Sequence, residues 1–418
     1  MITTLTTLFT TLFDHDKLLE RARTLGAIQR LRSLHPADVL LALVRSAVGD
    51  EHPGIATARR QFELLTDYMP EESSFYDRLT PGLGDLGWDV FLRLLSRATR
   101  VQRRQVAKAL GMRARDVRAI DATIVTLPKR ASPFFPSTDS KLGGFKITAT
   151  LSVLEDILVE AQVTDARRHD RKALGFPRID KAVLYLMDRG YSDHRLFAHI
   201  SDGGGYFIIR LKSSSHPEVE TIRSGLAKAH RGKPLERKLP VCGVVDLDAR
   251  FSVGRSGSRT FRVVGIPVAR NKAGDPDWIW LATNLPAHVA PETVGTIYRL
   301  RWLVETLFRA LKSVGRLDEL PSGSPAVIKA FIAATLIGLV LTQSICGAMR
   351  RHRRRCEPSP LRVFALVLAN LPRLAAAYGT RGFREELRRF EAALWREGVN
   401  PNPGRPYARE RHLATVEK

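Results

Sequence analysis

The stretch VRAIDATIVTLP, residues 117–128, starts the run of strand-like segments that decides the fold. GGFKITATLSVL at 143–154 and ILVEAQVTDA at 157–166 follow it, and all three are rich in β-branched and apolar residues. Three consecutive strands with short links predict an antiparallel meander. Next come AVLYLMDRGY at 182–191, a helix-compatible stretch from about residue 192, and YFIIRLK at 206–212. This second pattern is β-α-β, which predicts parallel pairing.

Differences in hydrophobic spacing and charge divide the chain into five regions. Apolar residues at three- and four-residue spacing predict a helical N-terminal region at 1–112, which is nearly balanced in charge. Within it, 55–68 and 71–79 are compatible either with a DNA-binding helix-turn-helix or with a plain helical bundle. A mixed α/β core is expected at 113–212, a β-rich segment without helices at 213–290, a helix from Pro291 to about Val314 within the region 291–345, and a basic helical region at 346–418.

Composition points to a folded protein with a polyanionic partner. The 418 residues are 44% hydrophobic and carry 66 Lys and Arg against 43 Asp and Glu, a net charge of +23. Three widely spaced cysteines and scattered histidines show no disulfide framework and no metal-ligand spacing, so we predict a reducing, cytoplasmic setting and no zinc site. Arginines at 350, 351 and 353–355 suit contacts with a phosphate backbone, although they also suit a solvated helix end.

One apolar stretch needs a separate interpretation. Residues 330–349 contain no charged side chain and are long enough to cross a bilayer. Thr335, Thr342, Gln343 and Ser344 interrupt the stretch. We therefore expect a helix buried under the sheet and no membrane partner, and keep a membrane anchor as the alternative.

Two aspartates occur where strands normally exclude them. Asp121 lies within the first predicted strand and Asp188 follows the apolar AVLYLM of the fourth. Sites in α/β sheets collect at the carboxyl ends of strands, so these two side chains are expected to face each other. Two close carboxylates repel unless a cation separates them, which suggests Mg²⁺ or Mn²⁺. Each aspartate could instead cap a turn or pair with a neighbouring arginine, as Asp188 could with Arg189.

The segment IYRLRWLVETLFRALKS, 297–313, carries the more specific pattern. Its apolar residues recur at helical spacing, and Tyr298, Arg301, Glu305 and Lys312 follow at intervals of three, four and seven residues. On one helix these groups share a strip, which would bring a third carboxylate to the aspartate pair and cations to a phosphate backbone. Alternatively, Glu305 only pairs with Arg301 or Arg309 on a solvated face.

These residues resemble a known family. The Tyr298, Arg301, Glu305 and Lys312 spacing resembles the Tyr-Arg-Glu-Lys signature of bacterial insertion-sequence transposases of the "four" group, in the DDE cut-and-paste family. Asp121-Ala122-Thr123 looks like the strand with the first Asp, with Ala122 less typical there, and Asp188-Arg189-Gly190-Tyr191 looks like the second-Asp motif. The order and the gaps between motifs also match, and the resemblance covers about 113–345.

The resemblance implies a fold, an activity and site residues. The fold would be α/β, a ribonuclease-H-like mixed five-stranded sheet with a β-rich insertion and helical N- and C-terminal regions. Asp121, Asp188 and Glu305 would be catalytic and hold two Mg²⁺ ions, with Mn²⁺ possible, for cutting and joining element ends, with a hairpin intermediate. The partners would be double-stranded DNA with terminal inverted repeats, target DNA and a second copy of the chain in the synaptic complex. DNA-binding roles are implied for Tyr298, Arg301, Lys312, Arg210, Lys212 and Trp280, while Trp278 and Trp280 could equally be core.

Two rival functions remain open from the sequence. The same carboxylates would serve a ribonuclease-H-like nuclease that hydrolyses nucleic acid without strand transfer. A catalytically silent DNA-binding protein derived from a transposase is the other, and the intact Asp121, Asp188 and Glu305 argue against it.

Overall fold

The computed structural model describes residues 1–47, 52–100, 114–236, 243–268, 277–313, 316–320, 322–353 and 357–400. Arg354, Arg355 and the end of the basic C-terminal region lie outside the described residues. Within these ranges the chain forms a mixed α/β structure with one large sheet. In chain order its strands are β1 (Asp116–Leu127), β2 (Gly143–Ser152), β3 (Ile157–Asp165), β4 (Val183–Met187), β5 (Tyr206–Arg210), β6 (Glu218–Ser224), β7 (Val245–Ser252), β8 (Ser258–Val268) and β9 (Asp277–Thr283).

The sheet confirms the predicted pairings and corrects the predicted strand number. β1, β2 and β3 form the antiparallel meander, and β4 pairs in parallel with both β1 and β5. The prediction of a five-stranded sheet is wrong, because the sheet of the described residues has nine strands in the order β3-β2-β1-β4-β5-β9-β8-β7-β6. The β-rich segment extends the same sheet.

The junction between β5 and β9 explains why the sheet continues. Without β9, one edge of β5 would expose unpaired backbone groups. Antiparallel pairing with β9 satisfies them. The amide of Asn284 also accepts from the Phe207 N–H and donates to the Gly205 carbonyl, both at 2.9 Å, and the Thr283 hydroxyl donates to the Phe207 carbonyl at 2.6 Å. These local bonds fix the register at which the β-rich segment joins the sheet.

Helices cover the sheet and build both ends of the chain. The helix predicted from Pro291 to about Val314 is in fact two helices, because the backbone at Leu300 and Arg301 makes i to i−3 hydrogen bonds, which tighten the turn and interrupt the α-helix. The described helices are α1 (Ile2–Phe13), α2 (His15–Thr24), α3 (Pro36–Ala47), α4 (Ile55–Thr66), α5 (Glu72–Tyr76), α6 (Pro81–Arg100), α7 (Asp170–Leu174), α8 (His194–Asp202), α9 (Pro291–Arg299), α10 (Trp302–Ser313), α11 (Pro325–His352), α12 (Pro360–Ala377) and α13 (Phe383–Glu397).

Two apolar clusters stabilise the sheet from its two faces. The larger contains side chains of the N-terminal helices, of β1–β3 and of α9–α13, and so joins regions that are distant in sequence. The smaller packs α8 against β4, β5 and the strands of the β-rich segment. Burial of apolar surface at roughly 25 cal/mol per Å² is what holds these layers together.

The helices α11 and α12 are long and apolar enough to cross a membrane. In α11, 78% of the most apolar 18-residue window is buried inside the protein, against α3, α6 and β3 among others. For α12 the corresponding share is 28%. The interpretation of 330–349 as a helix buried by the protein itself therefore agrees with the packing of α11.

Candidate catalytic groove

Strand register brings the two aspartates to the same level of the sheet. Ile120 of β1 is paired with Met187 of β4, so the next residues along the parallel strands, Asp121 and Asp188, are level with each other. Met187 is likewise paired with Ile209 of β5, which brings Arg210 to that level. Because side chains alternate along a strand, all three point away from the smaller cluster, which contains Ile120, Met187 and Ile209. The predicted meeting of the strand ends is thus present.

The third carboxylate joins the aspartates through Arg301. Arg301 donates from Nη1 to Asp121 Oδ2 at 2.7 Å and from Nη2 to Glu305 Oε1 at 2.6 Å. All three side chains are less than one-third exposed. The structure therefore realises both interpretations of Glu305 from the sequence: it pairs with Arg301, and the pair lies at the aspartates.

Two tyrosines, Tyr298 and Tyr191, lie near the carboxylates. Tyr298, from the end of α9, donates to Asp188 Oδ1 at 3.4 Å, and Arg301 lies over its ring. Burial, and then the charge of Asp188, raise the pKa of Tyr298. Tyr191 is buried, and its pKa is raised by burial first and then by the charges of Asp121, Asp170 and Asp188. Both phenols therefore stay protonated at neutral pH and remain hydrogen-bond donors.

The carboxylates carry more negative charge than the protein balances at this point. Burial raises the pKa of Asp121 to about 6 against the opposing effects of the Ala122 N–H and Arg301, and the charges of Asp188 and Glu305 add smaller contributions in the same direction as burial. Three carboxylates against the single guanidinium that contacts two of them leave a site that favours additional cations.

A test of the donor set supports a divalent metal. Carboxylate oxygens are the ligands that Mg²⁺ and Mn²⁺ prefer. The buried Tyr191 hydroxyl has no hydrogen-bond partner among the described residues, although the charges of Asp121 and Asp188 act on it, so a donor remains beside the carboxylates. The three carboxylates do not yet form a set with ligand atoms within 4.8 Å of one another. Because Arg301 spans Asp121 and Glu305, joint ligation would require Arg301 to release at least one of them.

A different cluster does meet that distance. His15, His35 and Asp38 have ligand atoms within 4.8 Å of one another, the one such group that the described part of the chain contains. The sequence analysis missed it, because His15 and His35 lie in different elements with no motif spacing. Its contacts are already satisfied without an ion: His15 binds Asp38 through Nε2 at 2.8 Å and the Phe13 carbonyl through Nδ1 at 2.9 Å. His35 Nδ1 accepts from the Ala37 N–H at 3.2 Å.

An open groove of about 710 Å³ runs past Asp121 and Glu305. Lys312 lines it, as the spacing of the sequence predicted. The groove also contains residues that the sequence analysis did not assign to the site, among them Asp318 and Glu319 of the 3₁₀ turn Leu317–Glu319, which packs beside β1. These further lining residues are Ala122, Thr123, Phe308, Arg309, Asp318 and Glu319.

Of the other predicted residues, one lies nearby and two do not. Arg210 is half-buried and close enough to Tyr298 for its charge to oppose the rise of that tyrosine's pKa. Lys212 lines a separate cavity. Trp280 is only 3% exposed and stacks on Trp278, with ring centroids 5.4 Å apart. Its position in the smaller apolar cluster does not support the predicted DNA contact, since the ring has no access to a base.

Comparison of this sequence with known families and proteins gives one consistent result. The pattern of the family described as "Transposase DDE domain" matches residues 112–341, more than half of the chain. A Geobacillus stearothermophilus protein named "Probable transposase for insertion sequence element IS5377" is 24% identical over 57% of this chain and 58% of its own length. The transposase for insertion sequence element IS231D of Bacillus thuringiensis subsp. finitimus is 21% identical over 64% of each chain.

Shorter and structural similarities complete the comparison. The transposase for insertion sequence element IS421 of Escherichia coli is 40% identical over 68 residues, which are 16% of this chain. The matches to the Geobacillus and Bacillus proteins cover 58% and 64% of those proteins, which is less than two-thirds of each. Among solved structures, a piggyBac transposase synaptic complex with hairpin DNA aligns with a TM-score of 0.46 and 9% identity, over 99% of this chain and 84% of that one.

Proposed function

The chain belongs to the transposase DDE domain family, and from this premise we propose that it cuts DNA at the ends of an insertion sequence and joins those ends to target DNA. The observation that carries the proposal is the meeting of Asp121, Asp188 and Glu305 around Arg301, because these carboxylates come from β1, the end of β4 and α10.

We propose that Asp121, Asp188 and Glu305 hold two divalent cations, Mg²⁺ or Mn²⁺. When bound, such ions supply activation of the attacking oxygen and stabilisation of the leaving oxygen of a phosphodiester. The surplus negative charge, the oxygen-only donor set and the unpartnered Tyr191 hydroxyl support this assignment.

The remaining side chains are suited to hold the DNA. Arg301 has more N–H donors than its two carboxylate contacts use, so it can also donate to a phosphate oxygen. Lys312 faces the groove as a point charge, and Tyr298 keeps its proton and can donate to phosphate. Arg210, level with Asp188, adds a cation at the same sheet edge. These roles favour a DNA strand that runs through the groove alongside α10.

The finer family assignment is also part of the proposal. The Tyr298, Arg301, Glu305 and Lys312 spacing supports membership of the "four" group. The strand order β3-β2-β1-β4-β5 supports a ribonuclease-H-like core, to which β6–β9 are an insertion. By that resemblance the freed 3′-hydroxyl attacks the opposite strand to form a hairpin, which is reopened before strand transfer. Terminal inverted repeats, a homodimeric synaptic complex and a cytoplasmic location are proposed on the same basis.

The test is a cleavage assay with DNA that carries the flanking element ends. The purified protein is incubated with Mg²⁺, and nicked, hairpin and joined products are separated on a denaturing gel. Asp188→Asn should abolish all three products. The matched control is Asp202→Asn, which removes an exposed carboxylate at the far end of α8, whose contact with Arg259 measures 3.5 Å. Equal products from Asp188→Asn and wild type would refute the site.

The products also separate the rival functions. Cleavage of any DNA without joining would favour a ribonuclease-H-like nuclease. Specific binding of the ends without cleavage by the wild type would favour a silent, transposase-derived DNA-binding protein. Nicks and joined products without a hairpin would refute the hairpin route alone.

A further inference from the structure

A second cavity, of about 560 Å³, lies between the α7–α8 layer and the β-rich segment. We call it the basic cavity, because its lining includes Arg171 and Lys172 of α7, Arg195 of α8 and Lys212, which follows β5. Asp193 is the single carboxylate in the lining. The other lining residues are His169, Ser192, His194, Ser252 and Gly254.

The charges of the basic cavity do not cancel. Asp193 contacts both Arg171, at 3.0 Å, and Arg195, at 3.4 Å, so one acid serves two guanidinium groups. Lys172 and Lys212 add two more cations. Arg171 is only 9% exposed, and its pKa is lowered by burial first, with the charge of Arg195 acting in the same direction. A buried cation of this kind gains from an additional anion.

The position of the Arg171 guanidinium suits such an anion. Its Nε is buried and has no partner in hydrogen-bond geometry among the described residues, although Asp193 lies within ion-pair distance. The guanidinium is fixed in place, because Nη1 donates to the Gly175 carbonyl and the group lies 4.3 Å from the centre of the Phe176 ring. A guanidinium has five N–H donors, more than the contacts with Gly175 and Asp193 use, and one that is fixed in place suits a phosphate oxygen.

The wall of the basic cavity includes residues that follow the catalytic strand ends closely in the chain. Ser192 accepts from the Lys212 N–H at 3.4 Å, and only the turn 189–191 separates Ser192 from Asp188. The β-rich segment closes the other side, where His194 binds the Ser252 carbonyl at 2.9 Å and the Ser215 hydroxyl at 3.1 Å. The catalytic groove is acidic and this neighbour is basic, as expected where one site holds cations and the next holds the backbone of the substrate.

We propose that the basic cavity binds a backbone phosphate of the DNA whose scissile bond lies at Asp121, Asp188 and Glu305. The inference rests on the proposed function and adds residues that the family resemblance did not supply, namely Arg171, Lys172 and Arg195. It also gives the β-rich segment a role, since Ser252 and Gly254 complete the wall of the cavity. We assign the phosphate to DNA and not to a free ion, because Ser192 and Lys212 of the cavity wall follow Asp188 and Arg210 of the catalytic sheet edge by four and two positions.

The experiment measures DNA binding in EDTA, so that no cleavage occurs. The double variant Lys172→Gln/Arg195→Gln changes two exposed cations and leaves the buried Arg171 intact. Its matched control, Arg388→Gln/Arg389→Gln, removes the same charge from α13, where both arginines lie within ion-pair distance of glutamates. Fluorescence anisotropy with an element-end duplex gives the dissociation constant at several salt concentrations for wild type and both variants.

We expect the cavity variant to bind the duplex more weakly than the control does. The fall of the logarithm of its association constant with the logarithm of the salt concentration should also be shallower by about 1, as loss of one phosphate contact predicts. An unchanged slope and affinity, with native melting temperature, would overturn the inference. So would tight binding of inorganic phosphate that the variant loses while its DNA affinity stays at the control value, because the site would then take free phosphate.

Failure of the proposed function gives a different result. A wild-type protein that binds DNA through the cavity but never cleaves it would refute the transposase activity and leave the phosphate site standing. A protein that cleaves and joins, with a cavity variant indistinguishable from the control, would refute the phosphate site alone.

Discussion

Arg301 bridges Asp121 and Glu305 and would therefore compete with any cation that binds both carboxylates. It neutralises part of the charge of Asp121 and Glu305 in the protein alone. Burial is the largest single effect on the pKa of Arg301 and lowers it. Tyr298, Glu305, Asp121 and Asp188 together outweigh burial and raise that pKa above its usual value. A side chain in this position decides how strongly the carboxylates repel each other before cations arrive.

Arg301→Gln should therefore destabilise the metal-free protein and increase its response to divalent cations. Loss of a partly buried ion pair leaves Asp121 and Glu305 without compensation, at a cost of about 1–3 kcal/mol. In thermal unfolding with EDTA the variant should melt below wild type, and Mg²⁺ or Mn²⁺ should raise its melting temperature by more than that of wild type. Arg299→Gln, which changes an exposed arginine two residues away, is the control. Equal metal-induced shifts in all three proteins would contradict the assignment of these carboxylates as ligands.

The residue-level site was largely predictable because its information is local. Asp121 and Asp188 stand out as acids in or directly after apolar strands. Although the helix is interrupted, Glu305 and Lys312 line the groove, and Tyr298 and Arg301 contact the two aspartates. Trp280 was not predictable in this way. The alternation within DWIWLATNL fixes which residues share a face, but only the packing of that face against Trp278 and Gly265 shows that the ring is enclosed.

The aromatic that meets a flipped base is expected to be Trp302, not Trp280. Trp302 is 45% exposed and lies beside Arg309, a residue of the groove wall. Base stacking is worth about 1–3 kcal/mol, so Trp302→Ala should reduce hairpin formation by roughly 5- to 100-fold while leaving the melting temperature nearly unchanged. Trp280→Ala should instead destabilise the protein by about 3–5 kcal/mol, as truncation of a buried aromatic does. Hairpin yield on denaturing gels and thermal unfolding distinguish them. Normal hairpin yield from Trp302→Ala would contradict this expectation.

At the scale of elements, the sequence predicted where helices and strands occur better than how they join. The break between α9 and α10 has no Gly or Pro to announce it, since Leu300 and Arg301 are both good helix formers. It arises where Tyr298 contacts Asp188 and Arg301 contacts Asp121, so tertiary contacts override the local preference. The attachment of the β-rich segment to β5 depends in the same way on Asn284, whose bonds reach residues 77 and 79 positions earlier in the chain.

An ion pair between the first residue of α2, His15, and the first turn of α3, at Asp38, depends on pH. The hydrogen bond to Asp38 is the main cause that raises the pKa of His15, against the opposing effect of burial. The pKa of the neighbouring His35 is lowered, by burial first and then by the charge of His15, so His15 is the charged member. A raised pKa in the folded state stabilises the protein below the unfolded value near 6.5, and this stabilisation is lost as the pH rises through the folded value.

Asp38→Asn should accordingly reduce the free energy of unfolding in a pH-dependent manner. Because His15 is partly exposed, the loss at pH 5.5 should exceed that at pH 8.5 by only about 0.3–1 kcal/mol. Urea denaturation at both pH values measures it, with Glu63→Gln on the exposed face of α4 as the control. A loss that is the same at both pH values would mean that Asp38 acts only as a helix-terminal acid of α3.

At the scale of the whole molecule, α11 joins the N-terminal helices to the catalytic sheet. It packs against α3 and α6 on one side and β3 on another, and Gln343 within it accepts from the Leu158 N–H at 3.0 Å. The apolar stretch that resembles a membrane span is therefore the core shared by the two regions. Its lack of charge follows from burial on most sides. The five regions drawn from sequence texture could not reveal this sharing, because contacts between α6 and α11 join residues more than 200 positions apart.

If that core is continuous, a defect between α6 and α11 should weaken the sheet as well. A Cβ at Gly87 would lie 2.8 Å from the Ala333 Cβ and 3.2 Å from Leu40 Cδ1, so Gly87→Ala overpacks the helix contact at a cost of about 1–3 kcal/mol. Hydrogen exchange should then rise in α6 and α11 and also in β1–β3, whose side chains belong to the same cluster. Gly382→Ala, where the nearest atom is 3.4 Å away, should change none of these segments. Faster exchange confined to residues 1–100 would show instead that the N-terminal helices open as a separate unit. The packing of these helices would then not stabilise the catalytic groove.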